Sequence, residues 1–133
     1  LMQEASKHIP ILFSANFSLG MAACLQASAL LSKMLKETFT IDIIETHHIH
    51  KKDKPSGTAL ALAEATESSD NILSIREGEV LGEHRLIFKN KHEAVELKHE
   101  VFSRDTFAEG ALFAAKTLLL KPPGLYSLKD LFA

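Results

Sequence analysis

The stretch EAVELKHEVFS, residues 93–103, places Val95, Leu97 and Val101 on one side of an extended chain and Glu96, Lys98 and Glu100 on the other. Side chains that alternate with a period of two belong to a strand. The segment is therefore read as a strand in a sheet with one buried and one solvated side, and the rest of the chain must supply its neighbours and its cover. Just before it lies EVLGEHRLIFKN, a second strand-like run, joined to the first by the polar turn Asn90-Lys91-His92. ILSIRE, from Ile72, reads as a third.

The upstream elements follow from the same periodicities. Ile9 to Phe13 form a short apolar run opened by Pro10 and ended by Asn16, and predict a strand. From Ser18, a suitable N-cap, the residues Leu19, Ala22, Ala23, Leu25, Ala29, Leu30 and Met34 recur near the helical period. FTIDIIETHH returns to β-branched alternation and carries histidines to the end of a second strand. SGTALALAEATE, dense in good helix formers, starts a helix at Pro55 to Thr58. A short link between Glu67 and Ile72 leads back to strands. Thr106 to Leu120 predict an apolar helix that stops at Pro122-Pro123-Gly124, followed by a short tail, LYSLKDLF. The expected order is β-α-β-α-β-β-β-α, an α+β fold with a mixed β-sheet and helices packed on one face.

Bulk properties narrow the function classes. A chain of 133 residues suits one domain with a real core. A net charge of −2 argues against a non-specific nucleic-acid binder. Apolar runs such as Ala111 to Ala115 fall far short of the roughly 20 residues a membrane span needs. No signal peptide is visible, and the single Cys24, on an apolar helical run, reads as an inert core thiol; together these predict a reducing, cytoplasmic setting. The opening LMQEASKH reads as the last turns of a helix running into a strand, which predicts a longer protein or a partner domain upstream.

The chemistry concentrates in THHIHKKDKPSGTA, residues 46–59, where three histidines and three lysines precede a Pro-Ser-Gly-Thr turn. On an extended strand His48 and His50 would point to one face and His47 to the other. Lys51 follows, and then Ser56, Gly57 and Thr58 open a helix whose unpaired amides and dipole favour an anion. Gly57 lets a ligand approach the backbone closely, while the Ser56 and Thr58 hydroxyls can cap the helix or bind the ligand. Histidine can donate a proton near neutral pH. A lysine among other cations tends toward a lowered pKa and becomes a usable acid. Asp53 can orient a neighbour or bond to the turn. The constellation predicts a small carboxylate or phosphate ligand that is protonated. A metal site fits less well, since there is no spaced Cys partner and no HExxH arrangement, and the lysine would oppose a divalent ion. A non-catalytic anion-binding or oligomerisation domain is the alternative.

These residues also resemble a known family. ETHHIHKKDKPSGTA is similar, position by position, to the Glu-x-His-His … Lys-x-Asp-x-Pro-Ser-Gly-Thr-Ala signature of the dihydrodipicolinate reductases. IPILFSANFSLG, REGEVLGEH, SRDTFAEGALFAAKTL and GLYSLKDLF resemble further family segments in the same order, so the likeness runs from Ile9 to Phe132. It implies the C-terminal substrate-binding and tetramerisation domain, residues 1–133, of an NADPH- or NADH-dependent oxidoreductase of the diaminopimelate route to lysine. It implies His47 as the acid and Lys51 as a proton donor. His48, Ser56, Gly57 and Thr58 would meet a cyclic dicarboxylate, and Ser14, Ala15, Asn16 and Phe17 the nicotinamide cofactor. Arg104 and Phe107 fall in a motif expected to pack around the site. The family's N-terminal dinucleotide-binding domain has no counterpart in these residues, so this chain by itself is expected to bind cofactor weakly and lack catalysis. Family members usually carry a longer excursion where this chain links Glu67 to Ile72. The resemblance also implies a homotetramer formed through the sheet.

Overall fold

The strand alternation read from residues 93–103 is realised in a four-stranded sheet of order β3-β2-β4-β5. The computed structural model describes residues 1–68 and 71–132. In it β2 is Thr40–His47, β3 Ile72–Arg76, β4 Glu83–Lys89 and β5 Ala94–Glu100. β2 and β3 run parallel, and β2–β4 and β4–β5 antiparallel, so the sheet is mixed. The hairpin turn is built by Asn90, whose Oδ1 accepts the amides of His92 at 2.9 Å and Glu93 at 3.1 Å.

The chain divides into two compact units. The unit formed by Cys24–Ser103 holds this sheet, with α3, Gly57–Thr66, and most of α2, Leu19–Leu35. One face of the sheet turns Ile41, Ile43, Leu86 and Phe88 onto Ala59, Leu62 and Ala63 of α3, with Leu25, Leu31 and Leu35 of α2 packed against the same cluster. Phe88, Ile43 and Leu86 are at most 1% exposed, and each contributes on the order of 2 kcal/mol by leaving water. A hydrogen bond of 2.7 Å from Ser32 Oγ to Thr66 O ties the two helices together.

The other unit comprises Leu1–Ala23 and the chain from Arg104 onward. It contains a four-residue α1, Met2–Ala5, and β1, Pro10–Leu12. It also contains α4, Asp105–Leu118, β6, Gly124–Tyr126, and a 3-10 turn, Leu128–Leu131. Ala22, Ala114, Leu128 and Leu131 form its core, with Leu12, Phe17 and Leu19 against them. The helix start at Ser18 is realised: its Oγ accepts the Met21 amide at 3.1 Å.

Two expectations change. The first strand does not join the mixed sheet; it pairs in parallel with β6, which had read as part of an irregular tail. Each of these strands is three residues long and neither has a buried face, so no alternation marks them. The strand carrying the histidines ends at His47, because Ile49 N bonds to Gly78 O and Lys51 N to His48 O, turning the chain. His48 and His50 therefore lie in a turn and do not alternate on a strand. The short link expected between Glu67 and Ile72 includes Ser69 and Asp70, which lie outside the described residues.

Candidate functional site

The buried face of the sheet changes character along its length. Ile41 and Ile43 of β2 give way to Glu45 and His47 on the same face, and Phe88 and Leu86 of β4 give way to His84. Register sets Ser74, Glu45, His84 and His99 in one row across all four strands, with Arg76 beside His47 in the next. Glu45 is 0% exposed, His84 5% and His47 8%. Charged and polar groups so deep must be paired, since an isolated buried charge is prohibitively costly.

The pairing centres on Glu45. Its Oε2 lies 2.5 Å from His47 Nδ1 and accepts from Arg76 Nη1 at 2.9 Å. Its Oε1 accepts from Arg76 Nη2 at 2.9 Å and from the Ser56 amide at 3.1 Å. Burial alone would raise the Glu45 pKa, but the Arg76 guanidinium, the His47 ring and the Ser56 amide together hold it down, to about 2. The carboxylate is thus ionised and receives the Nδ1 proton of His47. Burial pushes the His47 ring below its ordinary value; Glu45 opposes that shift, while Lys51 and Arg76 add to it. His84 is driven lower, to about 4, by burial and by its histidine neighbours on both sides. Its ring lies 5.1 Å from that of His47 and 6.1 Å from that of His99. Burial lowers His99 as well.

Arg76 reaches beyond Glu45. Its Nε donates to Lys51 O at 3.2 Å and its Nη2 to Asp53 O at 2.5 Å, fixing the backbone between the histidines and α3. The Lys51 ammonium pairs with Asp53 Oδ1 at 3.0 Å, so Asp53 orients its neighbour. Glu77 N bonds to His47 O, holding the start of this loop to the turn after β3. Gly82 completes the surround: a Cβ there would stand 3.2 Å from His47 Nε2.

His47, Lys51, Ser56, Gly57 and Thr58 fall in one unit, around the loop that Arg76 pins. Ser56 is 2% exposed, and its hydroxyl accepts the Ala59 amide at 3.2 Å. Of the two roles open to it, the cap is realised. Gly57 and Thr58 then supply the first amides of α3. His48 and His50 stand with ring centroids 6.2 Å apart in the turn. Ser14, Ala15, Asn16 and Phe17 lie in the other unit, between β1 and α2. Ser14 Oγ donates to Asn16 O at 2.6 Å and Asn16 Oδ1 accepts the Ser18 amide at 2.8 Å, leaving Ala15 exposed at the crest of the turn. Arg104 is exposed at the start of α4, and Phe107 is half-buried. Glu45, Arg76 and His84 were given no role by the sequence reading. Among the described residues, no group of three or more His, Cys, Asp or Glu could hold a metal ion, and no helix is long and apolar enough to cross a membrane.

This geometry can be set beside known proteins. The family described as "Dihydrodipicolinate reductase, C-terminus" matches residues 20–132. The 4-hydroxy-tetrahydrodipicolinate reductase of Xanthomonas campestris pv. campestris (strain B100) is 46% identical over 131 residues, covering 96% of this chain and 55% of that protein. The enzyme of the same name from Pelagibacter ubique (strain HTCC1062) is 39% identical over 155 residues, covering 98% of this chain and 60% of that protein. That aligned span exceeds this chain's own length, so the relative carries residues within it that this chain lacks. The chain thus spans a little over half the length of these relatives. A solved structure, dipicolinate-bound dihydrodipicolinate reductase from Paenisporosarcina sp. TG-14, has a TM-score of 0.81 at 19% identity, covering 97% of this chain and 56% of that one. At that identity the likeness is one of fold. The match across residues 20–132 settles the family: the chain belongs to the dihydrodipicolinate reductases, as their C-terminal part.

Proposed function

We propose that this chain is the substrate-binding domain of a 4-hydroxy-tetrahydrodipicolinate reductase, acting on a small cyclic dicarboxylate in lysine biosynthesis. The observation that carries the proposal is the union, within one peptide, of a carboxylate-held imidazole and a capped helix N-terminus. His47 is a proton carrier whose Nδ1 is occupied by Glu45. Gly57 and Thr58 present helix amides that favour a carboxylate. Lys51 stands between them in sequence, its ammonium oriented by Asp53. In this reading His47 and Lys51 supply the proton, His48 contacts the substrate, Gly57 and Thr58 hold a carboxylate, and Ser56 keeps the helix start in shape. The sequence and fold comparisons support the same reading.

Reduction needs NADPH or NADH, which when bound supplies the hydride. The turn at Ser14, Ala15, Asn16 and Phe17 suits a contact with one edge of a nicotinamide ring: its polar side chains hold the turn itself, and its crest is small and exposed. Four residues cannot also hold the phosphates of a dinucleotide, so the rest of the cofactor site belongs to a further domain. The reading also includes a homotetramer and a cytoplasmic setting. The apolar face of the strands is covered within the chain by α2 and α3. What supports assembly instead is the opposite face, where Leu73 is 55% exposed and Ile44 and Ile87 are half-buried among ion pairs.

Titration with pyridine-2,6-dicarboxylate, followed through the ring signals of His47, His48 and His50 by NMR, tests the proposal. A Kd of roughly millimolar is expected, equivalent to about 4 kcal/mol. Absence of any shift at tens of millimolar ligand, with the fold intact, would overturn it.

A further inference from the structure

We propose that Glu45 and Arg76 form the positioning element of this site, fixing the His47 ring with its proton on Nδ1 and anchoring the backbone that carries Lys51. The inference rests on the reading of His47 as the acid. Its evidence is where the pair's hydrogen bonds lead, apart from one of 2.7 Å from Arg76 Nη1 to the neighbouring Ile75 O. Glu45 is reached by His47 Nδ1, by both terminal nitrogens of Arg76 and by the Ser56 amide. Arg76 in turn holds the carbonyls of Lys51 and Asp53. One buried carboxylate and one guanidinium therefore connect the imidazole, the lysine backbone and the start of the anion-binding helix.

A purely structural role explains this less well. Two residues toward the other end of the same strand, the equivalent inward positions are Ile43 and Ile41, which pack without any desolvated charge. A buried ion pair is weak evidence for stability, since a hydrophobic replacement of similar volume is often as stable. Here its partners are candidate site groups instead of apolar core.

The chemistry needs such a device. With Nδ1–H bonded to an ionised carboxylate, Nε2 is left as the atom that gives a proton to substrate and returns to neutral imidazole. Gly82 leaves room on that side of the ring, where a Cβ would be crowded. The charges facing the ring are mixed. Glu45 on its own strand favours the protonated form, whereas Arg76 from β3 and Lys51 from the loop oppose it. His84 from β4 stands edge-on, with His99 of β5 behind it. Of these, Glu45 is the group that favours the imidazolium, opposing the effect of burial.

Long-range 1H–15N correlation on the labelled chain reads the tautomer and titration of His47 directly, independent of activity. In the unaltered chain neutral His47 is expected as the Nδ1–H tautomer; finding Nε2–H would overturn the proposal without any variant. Glu45→Gln keeps an oxygen that can accept from Nδ1 but removes the charge. It should lower the His47 titration midpoint by about one unit or more. An unchanged midpoint in a folded Glu45→Gln chain would also overturn it. In the complete enzyme, Glu45→Gln should lower kcat at pH 8 about tenfold or more while KM moves by less than about threefold. The activity lost should return partly at lower pH, and Glu45→Asp should recover more than Glu45→Gln. If the NMR response appears but kcat holds, the positioning role stands and the reading of His47 as the acid fails.

Discussion

Stability should fall in mild acid because of His84, in a pH window set by its burial. The ring is 5% exposed, and its pKa is depressed from an ordinary value of 6.5 to about 4. A base whose folded pKa is depressed favours the fold while it is neutral. Its contribution is complete above the unfolded value and is lost as the pH falls from 6.5 toward 4. At pH 5 the unfolded histidine is almost fully protonated and the folded one almost fully neutral. Proton linkage across that gap amounts to about 2 kcal/mol relative to pH 7.5. Glu45 does not confuse the comparison, because its own depressed pKa acts in the window from 4.5 down to about 2. His47 and His99 shift in the same direction as His84, so the whole chain should lose at least this much. The assay is urea unfolding by far-UV circular dichroism at pH 7.5 and pH 5.0, at one protein concentration. His84→Gln and His84→Leu remove the titrating group, and each should reduce the pH 7.5-to-5.0 difference by about 2 kcal/mol whatever it does to absolute stability. A His84 variant with the same pH dependence as the parent chain would refute the reasoning.

The remaining predictions concern single contacts. Ser56→Ala removes the hydroxyl that accepts the Ala59 amide and should destabilise the chain by about 1 kcal/mol in urea unfolding, while the backbone bond from residue 56 to Glu45 survives. Gly110→Ala would place a Cβ 1.7 Å from Phe17 O, so α4 must move off the turn that holds Asn16 and Phe17. A loss of about 3 kcal/mol or more in thermal unfolding is expected. In the complete enzyme Lys51→Ala should lower kcat strongly, whereas Thr58→Val should mainly raise KM, because the helix amides remain; steady-state kinetics separates the two.

What could be read from the sequence was whatever depends on near neighbours. The hairpin at Asn90 and the caps at Ser18 and Ser56 are local chemistry, each satisfied within three residues. The alternation through β5 is equally local, and it marks the buried side of the sheet at Val95 and Leu97. Alternation in β2 contained a clue that went unused. Ile41, Ile43, Glu45 and His47 are one inward-facing series, and a carboxylate in it must either find a buried cation or fail to ionise. The cation could not be located from the spacing, because Arg76 lies 31 residues downstream and meets Glu45 only once β3 has paired in parallel with β2. His99, and His84 at the end of the segment REGEVLGEH, join the row only through strand register. The pairing of β1 with β6 was hidden still more completely, since its partners sit near opposite ends of the chain and neither strand is long enough to show a pattern. The site therefore has two kinds of parts. Its more accessible pieces, exposed Gly57 and half-buried Lys51 and Thr58, lie close together in one peptide and were recognisable there. Its buried supports come from separate strands, and they decide which nitrogen of His47 the Glu45 carboxylate holds.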